Sequence, residues 1–304
     1  MAARLQLDLI GPGGEPVDLW RTIQSHGLVD LPPMRIDDDG RALEVTLPGD
    51  GGPPRLVRIS EAGSRHAAVE VAGRPPGIRE ERRLVALVRH VLRLDEDLSP
   101  FYDRVRDDPD LAWAAHGAGR LVRNPTVFEE VVKTICTTNC AWSGTVRMVG
   151  GLVEHLGEPA AGAPRDGPLG RAFPTPAAMA EASLDFYRDV VRAGYRGAYL
   201  RSLAEDVAAG MLDLEALADP AVPDDEVAAR LLALPGVGPY AAAHVMMLLG
   251  RYSRLVLDSW TRPKYARLNG GRPVRDAAIE RRFRRFGPYR GLAFWLVLTR
   301  DWVA

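Results

Sequence analysis

The 304-residue sequence predicts an α+β protein in which an antiparallel β-sheet precedes a mostly α-helical region. Three observations support this prediction. Apolar and polar residues alternate with a period of two in the first 75 residues, as they do in half-buried strands. A glycine- and proline-rich segment at 73–77 then marks a linker. Beyond the linker, apolar residues recur at helical spacing to the end of the chain.

The alternating residues form four short runs, which we predict to be strands of one antiparallel sheet with one covered face. They occupy residues 5–9, 43–47, 55–59 and 68–71. Clusters of glycine, proline and aspartate separate the runs at 11–14, 37–40 and 50–54, and such clusters favour turns.

The composition is that of an ordinary globular protein. Hydrophobic residues make up 46% and charged residues 26%, and the net charge is −1. No apolar run reaches the roughly 18 residues of a membrane span, and the N-terminal MAARLQLDLI lacks the long apolar core of a signal peptide. The two cysteines, Cys136 and Cys140, are too few for a disulfide framework or a four-thiolate iron–sulfur cluster. We therefore expect buried, reduced thiols, no membrane association and a cytoplasmic location.

A helix is predicted to begin at Asn124 and Pro125, which have the pattern of an N-cap followed by proline at the first helical position. Its apolar stripe leads into the turn ICTTNCAW, which contains Asn139. The following segment, 141–156, is predicted to be the next helix.

The stretch 231–268 combines a glycine-containing turn between two helices with a single acid. The turn is Pro235-Gly236-Val237-Gly238-Pro239, and a nearly wholly apolar helix follows at 240–249. Glycines at the start of a helix leave backbone N–H groups accessible, and the helix dipole favours an anion such as phosphate there. An ordinary hairpin of two helices is the alternative interpretation.

Asp258 is the lone acid of this stretch. It lies twenty residues after Gly238 and directly follows the apolar run 255–257. A carboxylate in apolar surroundings stabilises developing positive charge more strongly than it would in water. A helix N-cap is the alternative role, which Pro263 near the start of the next helix also fits. The two roles are compatible.

Positive charge is concentrated near the C-terminus. Only two acids, Asp276 and Glu280, lie between residues 262 and 290, whereas ten basic residues do: Arg262, Lys264, Arg267, Arg272, Arg275, Arg281, Arg282, Arg284, Arg285 and Arg290. Such an excess is typical of a surface that binds nucleic acid. A merely solvated helix face is the alternative.

The segment LPGVGPYAAAHV, followed by LVLDSW, resembles the hairpin and catalytic aspartate of the helix–hairpin–helix base-excision DNA glycosylase superfamily. Three further segments resemble this family: ICTTNCAW around Asn139, which is similar to the helix end of the 8-oxoguanine glycosylases, GYRGAYL before the hairpin and RFGPYRGLA near the C-terminus. The N-terminal region is similar to the sheet domain of the 8-oxoguanine and bacterial inducible 3-methyladenine glycosylases. The implied fold is a sheet domain at 1–75 and a mostly α-helical helix–hairpin–helix glycosylase domain at 76–304, with a cleft between its two helical halves.

The resemblance implies a role for each matching residue. Asp258 would be the catalytic residue, and Asn139 would enter the duplex and face the base left unpaired. The expected DNA-binding residues of the hairpin are Pro235, Gly236, Val237, Gly238 and Tyr240. Aromatic residues that could line a base pocket are Trp142, His244 and Trp260, together with Tyr240. The alternatives are that Asn139 caps the following helix, that His244 is a satisfied core histidine and that Trp142 belongs to the core.

The hairpin departs from one pattern of the family. Bifunctional members carry a nucleophilic lysine two places after the second hairpin glycine, and Tyr240 stands there in this sequence. The implied enzyme is monofunctional, uses water and releases an alkylated purine of the 3-methyladenine type. An 8-oxoguanine-type glycosylase and a non-catalytic hairpin protein that binds damaged DNA are the alternatives.

The resemblance also implies the partner and the setting of the protein. The expected partner is double-stranded DNA that contains a damaged base, and the protein would be a monomer associated with the nucleoid. Neither a cofactor nor a metal site is expected, except for a monovalent cation that the hairpin carbonyls could coordinate.

Overall fold

A computed structural model describes residues 3–63, 65–164 and 167–303 of the chain. An N-terminal five-stranded antiparallel sheet precedes a mostly helical region, which confirms the predicted fold class. The strands are β1 (Ala3–Asp8), β2 (Met34–Asp37), β3 (Ala42–Leu47), β4 (Arg55–Glu61) and β5 (His66–Val71). Their order in the sheet is β1-β5-β4-β3-β2, and every neighbouring pair is antiparallel.

Three of the four predicted runs lie within strands, and the run 5–9 extends one residue beyond the end of β1 at Asp8. Strand β2 was not predicted. This strand has only four residues and ends at the start of the aspartate-rich turn. Its pairing with β3, in which Met34 faces Val45, is what makes it a strand.

Twelve α-helices and several shorter turns of helix occur in the described residues. The helices are α1 (Leu19–Ile23), α2 (Ile78–Val91), α3 (Ser99–Val105), α4 (Val127–Thr137), α5 (Trp142–Leu156), α6 (Pro176–Glu181), α7 (Arg196–Ala208), α8 (Asp224–Leu232), α9 (Pro239–Leu248), α10 (Thr261–Leu268), α11 (Asp276–Phe283) and α12 (Arg290–Thr299). Single turns of 3₁₀-helix lie at Gly27–Asp30, Ala112–His116, Glu215–Ala218 and Arg284–Tyr289, and a π-helical turn lies at Phe186–Val190.

Two apolar clusters hold these elements together. One lies beneath the sheet and includes Leu84, Val88 and Val91 of α2, so this helix covers a face of the sheet. The other fills the helical region, where α4 and α9 pack against each other. Nearly every residue of α4 and α9 is buried. The hairpin helix α9 is therefore a central element of the helical region, and it anchors the turn that precedes it.

The predicted start of α4 was wrong by two residues. Thr126 caps this helix, because its Oγ1 accepts a hydrogen bond from the backbone N–H of Glu129 at 3.2 Å. Asn124 is used elsewhere: its Oδ1 accepts from Nζ of the fully buried Lys133 at 2.7 Å. A second partner of that ammonium group is Glu129, at 2.8 Å. A buried charge needs such partners, and this need diverts Asn124 from capping.

The prediction of two buried thiols was half right. Cys136 is buried, and burial raises the pKa of its thiol to about 12. Cys140 is exposed, because it lies in the turn after α4 rather than on the inner face of that helix. No helix in the described ranges is both long and apolar enough to cross a membrane.

Candidate nucleic-acid interface and active site

The hairpin consists of α8, a tight turn and α9. Gly236 lies in the turn at φ +83, a left-handed conformation that favours glycine. Gly238 is the exposed N-cap residue of α9, and Pro239 occupies the first helical position. Among the residues that the structure describes, none accepts a hydrogen bond from the N–H of Gly236 or Gly238. Unpaired N–H groups at the positive end of a helix are a suitable site for an anion.

The two glycines differ in what surrounds them. A Cβ added to Gly236 would lie 3.0 Å from Tyr199 Cδ2, so this residue is required for the hairpin to pack on α7. A Cβ added to Gly238 would meet no protein atom within 4 Å. Space beside Gly238 is thus available to a ligand. The side chain of Val237, by contrast, is buried and points into the core.

A cleft of about 360 Å³ joins the hairpin to two other parts of the chain. One is the turn between α4 and α5, and the other is the start of α7. The cleft is lined by Thr138, Asn139, Tyr195, Tyr199, Gly236, Gly238, Pro239, Tyr240 and Ala241. The structure therefore brings Asn139 to the same surface as the hairpin, although a hundred residues separate them in the sequence.

Asn139 is exposed and has a positive φ of +47, an uncommon conformation that asparagine tolerates better than most residues. Its Nδ2 donates to the hydroxyl of Tyr195 at 3.4 Å. It does not cap α5, whose N-cap position is Ala141. The buried Arg196 guanidinium holds the turn from below by donating to the carbonyl and the hydroxyl oxygens of Thr138.

Asp258 caps the turn that leads into α10 through one carboxylate oxygen. Its Oδ1 accepts from the N–H groups of Trp260 at 2.9 Å and Thr261 at 2.6 Å. The hydroxyl of Thr261 in turn accepts from the N–H of Asp258 at 2.8 Å. This reciprocal arrangement is a capping box and fixes the carboxylate. The capping role considered for Asp258 is real.

The second oxygen of Asp258, Oδ2, receives no hydrogen bond from any residue in the described part of the chain. The side chain is half-buried. Its charge acts on two neighbours. Burial lowers the pKa of His244, and the Asp258 carboxylate partly opposes this effect. Burial raises the pKa of Tyr240, and Asp258 adds to that increase. Asp258 therefore presents an immobilised carboxylate with one oxygen available for chemistry.

Beside Asp258 lies a group of rings that we name the aromatic cluster: His26, Tyr240, His244, Trp260 and Trp295. The ring of His244 lies at its centre, with centroid distances of 5.8 Å to Tyr240, 6.3 Å to His26 and 6.3 Å to Trp295. Trp260 packs on Trp295 at 5.6 Å. Three of the predicted pocket residues are thus assembled around the carboxylate.

The fourth predicted pocket residue, Trp142, is not part of the core, because 48% of its surface is exposed. Its ring edge lies near Gly27, where an added Cβ would be 3.8 Å from Trp142 Cη2. Since Gly27 follows His26 in the chain, Trp142 lies next to the aromatic cluster. His26 and Trp295 were not predicted, nor were Tyr195 and Tyr199 of the cleft.

The comparisons with known proteins concern the fold. Three solved structures align with nearly the whole chain. A 3-methyladenine DNA-glycosylase from Archaeoglobus fulgidus has a TM-score of 0.74 and 20% identity, over 99% of this chain and 100% of that one. The chain has the fold of the DNA glycosylases. MBOgg1 in complex with a low-affinity DNA ligand gives a TM-score of 0.74 and 18% identity, over 99% and 98%.

The third structure is a Clostridium acetobutylicum 8-oxoguanine glycosylase/lyase in complex with double-stranded DNA containing cytosine opposite 8-oxoguanine. Its TM-score is 0.72 and its identity 20%, over 99% of this chain and 98% of that one. No protein-family model matches the sequence, and no curated protein matches it significantly. The glycosylase fold is thus recognised from its geometry.

Within this glycosylase fold, much of the C-terminal positive charge is neutralised by acids. Arg262 pairs with Asp276 through two contacts of 2.9 Å. Further pairs join Arg282 to Asp110, Arg285 to Asp108 and Lys264 to Asp301. Five exposed arginines form no ion pair with any residue that the structure describes: Arg267, Arg272, Arg275, Arg281 and Arg284. The basic surface is smaller than the sequence suggested.

Proposed function

We propose that this protein is a monofunctional DNA glycosylase that hydrolyses the N-glycosidic bond of an alkylated purine of the 3-methyladenine type in double-stranded DNA. The observation that carries the proposal is Asp258, which is held by a capping box through Oδ1 and keeps Oδ2 unpaired beside the aromatic cluster. A protein that only bound DNA phosphates would gain nothing from a carboxylate at this place.

The hairpin and Asn139 would engage the duplex while the damaged nucleotide leaves the stack. Extruding a nucleotide costs a few kcal/mol, which phosphate contacts and a gap-filling side chain offset. The unpaired N–H groups of Gly236 and Gly238 suit a phosphate. The amide of Asn139, exposed in the same cleft, offers both a donor and an acceptor to the base left behind.

Cleavage of the C–N bond builds positive charge on the deoxyribose, and Asp258 would stabilise that charge. The logic is that of glycoside hydrolysis, in which a carboxylate faces an oxocarbenium-like transition state. A fixed carboxylate needs no reorganisation as the charge develops. Its free oxygen would also orient the attacking water.

Water is the proposed nucleophile because neither lysine is placed to form a Schiff base. Tyr240 stands at the position of the lysine in bifunctional enzymes, and a phenol cannot form an imine. Lys133 is fully buried and bonded to Asn124 and Glu129. Lys264 is bound to Asp301 at 2.5 Å. The product would be an abasic site in an intact strand.

The aromatic cluster favours an alkylated purine as the substrate. Alkylation gives the purine a positive charge, so the base leaves readily and is attracted to the faces of aromatic rings. Burial lowers the pKa of His244 to about 4 and of His26 to about 3, so both rings are neutral near pH 7 and do not repel a cationic base.

A second candidate is an 8-oxoguanine-type glycosylase. The position of Asn139, exposed beside Tyr195 in the hairpin cleft, favours it. The tyrosine at 240 argues against it. Duplexes that each carry one defined lesion, or methylated DNA, would be incubated with the protein, and abasic sites revealed with alkali. Release of 3-methyladenine but not of 8-oxoguanine is expected. Release of no base from any lesion would contradict a glycosylase function.

A further inference from the structure

His26 presents a buried hydrogen-bond acceptor that has no donor among the residues that the structure describes. Its Nε2 lies 2.7 Å from the carbonyl oxygen of Val122. A carbonyl only accepts, so Nε2 carries the proton, and in the neutral ring Nδ1 is then an acceptor. This Nδ1 is buried and unpartnered in the described structure. His26 as a whole is only 3% exposed.

His244 has the same property to a greater degree. Both of its ring nitrogens are buried without a hydrogen-bond partner among the described residues. Its ring stands nearly perpendicular to that of His26, at an interplanar angle of 87°. Native proteins satisfy nearly all of their buried polar atoms, so two adjacent imidazoles with three unpartnered nitrogens require an explanation.

Two other polar groups of the aromatic cluster are already used. The indole N–H of Trp295 donates to the carbonyl oxygen of Ser25 at 2.8 Å, and the hydroxyl of Tyr240 is paired with Thr137 at 3.3 Å. The two histidines thus provide unused hydrogen-bonding capacity in the ring assembly beside Asp258. Gly27, which follows His26 in the chain, is exposed, and the half-exposed ring of Trp142 lies beside it.

We propose that His26 and His244 form the hydrogen-bonding floor of the base pocket and select an alkylated purine that still presents an N–H donor. This inference rests on the proposed function. Nδ1 of His26 would accept from the exocyclic amino group of 3-methyladenine, and a nitrogen of His244 would complete the pattern. A purine whose amino nitrogen is closed into a ring, as in 1,N6-ethenoadenine, has no N–H there and would leave Nδ1 unpaired.

The test uses substitutions that separate hydrogen bonding from folding. In His26→Gln, the amide nitrogen can take the place of Nε2 and keep the bond to Val122, whereas the Nδ1 acceptor is lost. His244→Leu removes two nitrogens that bond to nothing described, so it should not unfold the protein. His90→Gln is the matched control, because His90 is another largely buried histidine whose Nε2 faces a backbone carbonyl, that of Asn124, at 3.1 Å.

Two measurements are made on each variant: single-turnover release of 3-methyladenine from methylated duplex DNA, and affinity for a duplex with a tetrahydrofuran abasic-site analogue. We expect His26→Gln and His244→Leu to release the base about tenfold to a hundredfold more slowly, with unchanged affinity for the abasic analogue. His90→Gln should match the wild type in both measurements. Wild-type protein should release 1,N6-ethenoadenine at least about tenfold more slowly than 3-methyladenine.

Other outcomes would overturn the inference. Normal 3-methyladenine release by both variants would show that the histidines do not read the base. A parallel loss of affinity for the abasic analogue would show that they only support the structure. Equal release of 3-methyladenine and 1,N6-ethenoadenine by the wild type would show that the pocket does not select for an N–H donor. Failure of the wild type to release any base would instead overturn the proposed function, and this inference with it.

Discussion

Asp258 and Thr261 hydrogen-bond to each other in both directions. The backbone N–H of each residue donates to a side-chain oxygen of the other, at 2.6 and 2.8 Å. The pair begins α10 and at the same time fixes the orientation of the carboxylate. One oxygen is therefore committed to structure and the other remains free. Structural and chemical contributions of Asp258 can be separated by substitution.

Replacing Asp258 with Asn should abolish base release but not folding or binding. Asn is as good an N-cap as Asp, so α10 remains intact. Only the transition state carries the charge that the carboxylate stabilises, so single-turnover release should fall by orders of magnitude while DNA affinity stays near wild type. Asp18→Asn is the matched control, because Asp18 caps α1 through its carboxylate and is not among the residues that line the cleft. Wild-type activity in Asp258→Asn would disprove the assignment.

Replacing Thr261 tests how much the capping box contributes. Thr261→Val keeps the shape of this fully buried side chain but removes the oxygen that accepts from Asp258. We expect a loss of about 0.5–2 kcal/mol in the free energy of unfolding. We also expect slower base release, because the carboxylate is less well fixed. Thr261→Ser, which retains the hydroxyl, should recover both properties. A Val variant that is destabilised but fully active would show that positioning by Thr261 is unimportant.

The hairpin should bind phosphate through close approach of its backbone. Gly238→Val places a branched side chain where no protein atom lies within 4 Å, so the fold should persist while a phosphate is kept away. Affinity should fall equally for damaged and undamaged duplex, and log affinity of the wild type should decrease linearly with log salt. Gly77→Val is the control, since Gly77 is also a helix N-cap residue with open space around it. Unchanged affinity in folded Gly238→Val would mean that the hairpin is only structural.

Borohydride should trap no covalent adduct between the protein and DNA. Trapping requires an imine, and an imine requires an unprotonated amine beside the sugar. The Lys264 amine is held in a salt bridge with Asp301. Strand breaks should appear only after alkali. A trapped band on a denaturing gel that disappears in Lys264→Ala would contradict this prediction, because it would establish a bifunctional enzyme.

The buried histidines predict a dependence of stability on pH. Burial lowers the pKa of His244 from 6.5 to about 4. Between pH 4 and pH 6.5, the unfolded chain therefore binds a proton at this residue that the folded chain does not bind. The stability of the folded state should therefore decrease as pH falls from about 6.5 to about 4. In chemical denaturation at several pH values, the free energy of unfolding should change less steeply with pH in His244→Leu than in the wild type. The difference should be up to about one proton, or about 1.4 kcal/mol per pH unit. An identical slope would mean that His244 is already protonated or exposed.

The sequence allowed prediction of those parts of the molecule that depend on neighbouring residues. Two glycines and a proline determine the shape of the hairpin turn, and alternation determines most of the strands. Asp258 was recognised from neighbouring residues as well, because it directly follows the apolar run 255–257. Even its alternative role as a cap was predictable, because capping depends on residues three positions apart.

Features that depend on distant residues could not be predicted. His26 lies in a short, ordinary-looking segment, and only the fold brings it to His244. The acids that neutralise the C-terminal basic residues come from other elements, as Asp110 and Asp108 do. The side chain of Asn124 was assigned to a cap because its partner, Lys133, is buried and lies nine residues further along the chain.

The turn around Asn139 is shaped before DNA arrives. Arg196 fastens Thr138, and Tyr195 meets the Asn139 amide, although this residue has an uncommon backbone conformation. A probe that is already ordered loses little freedom when it enters a duplex. In the proposed function, the protein would then test one site after another along intact DNA with little loss of conformational freedom. The base pocket would then distinguish damaged from undamaged bases by the hydrogen-bonding groups on the edges of each base.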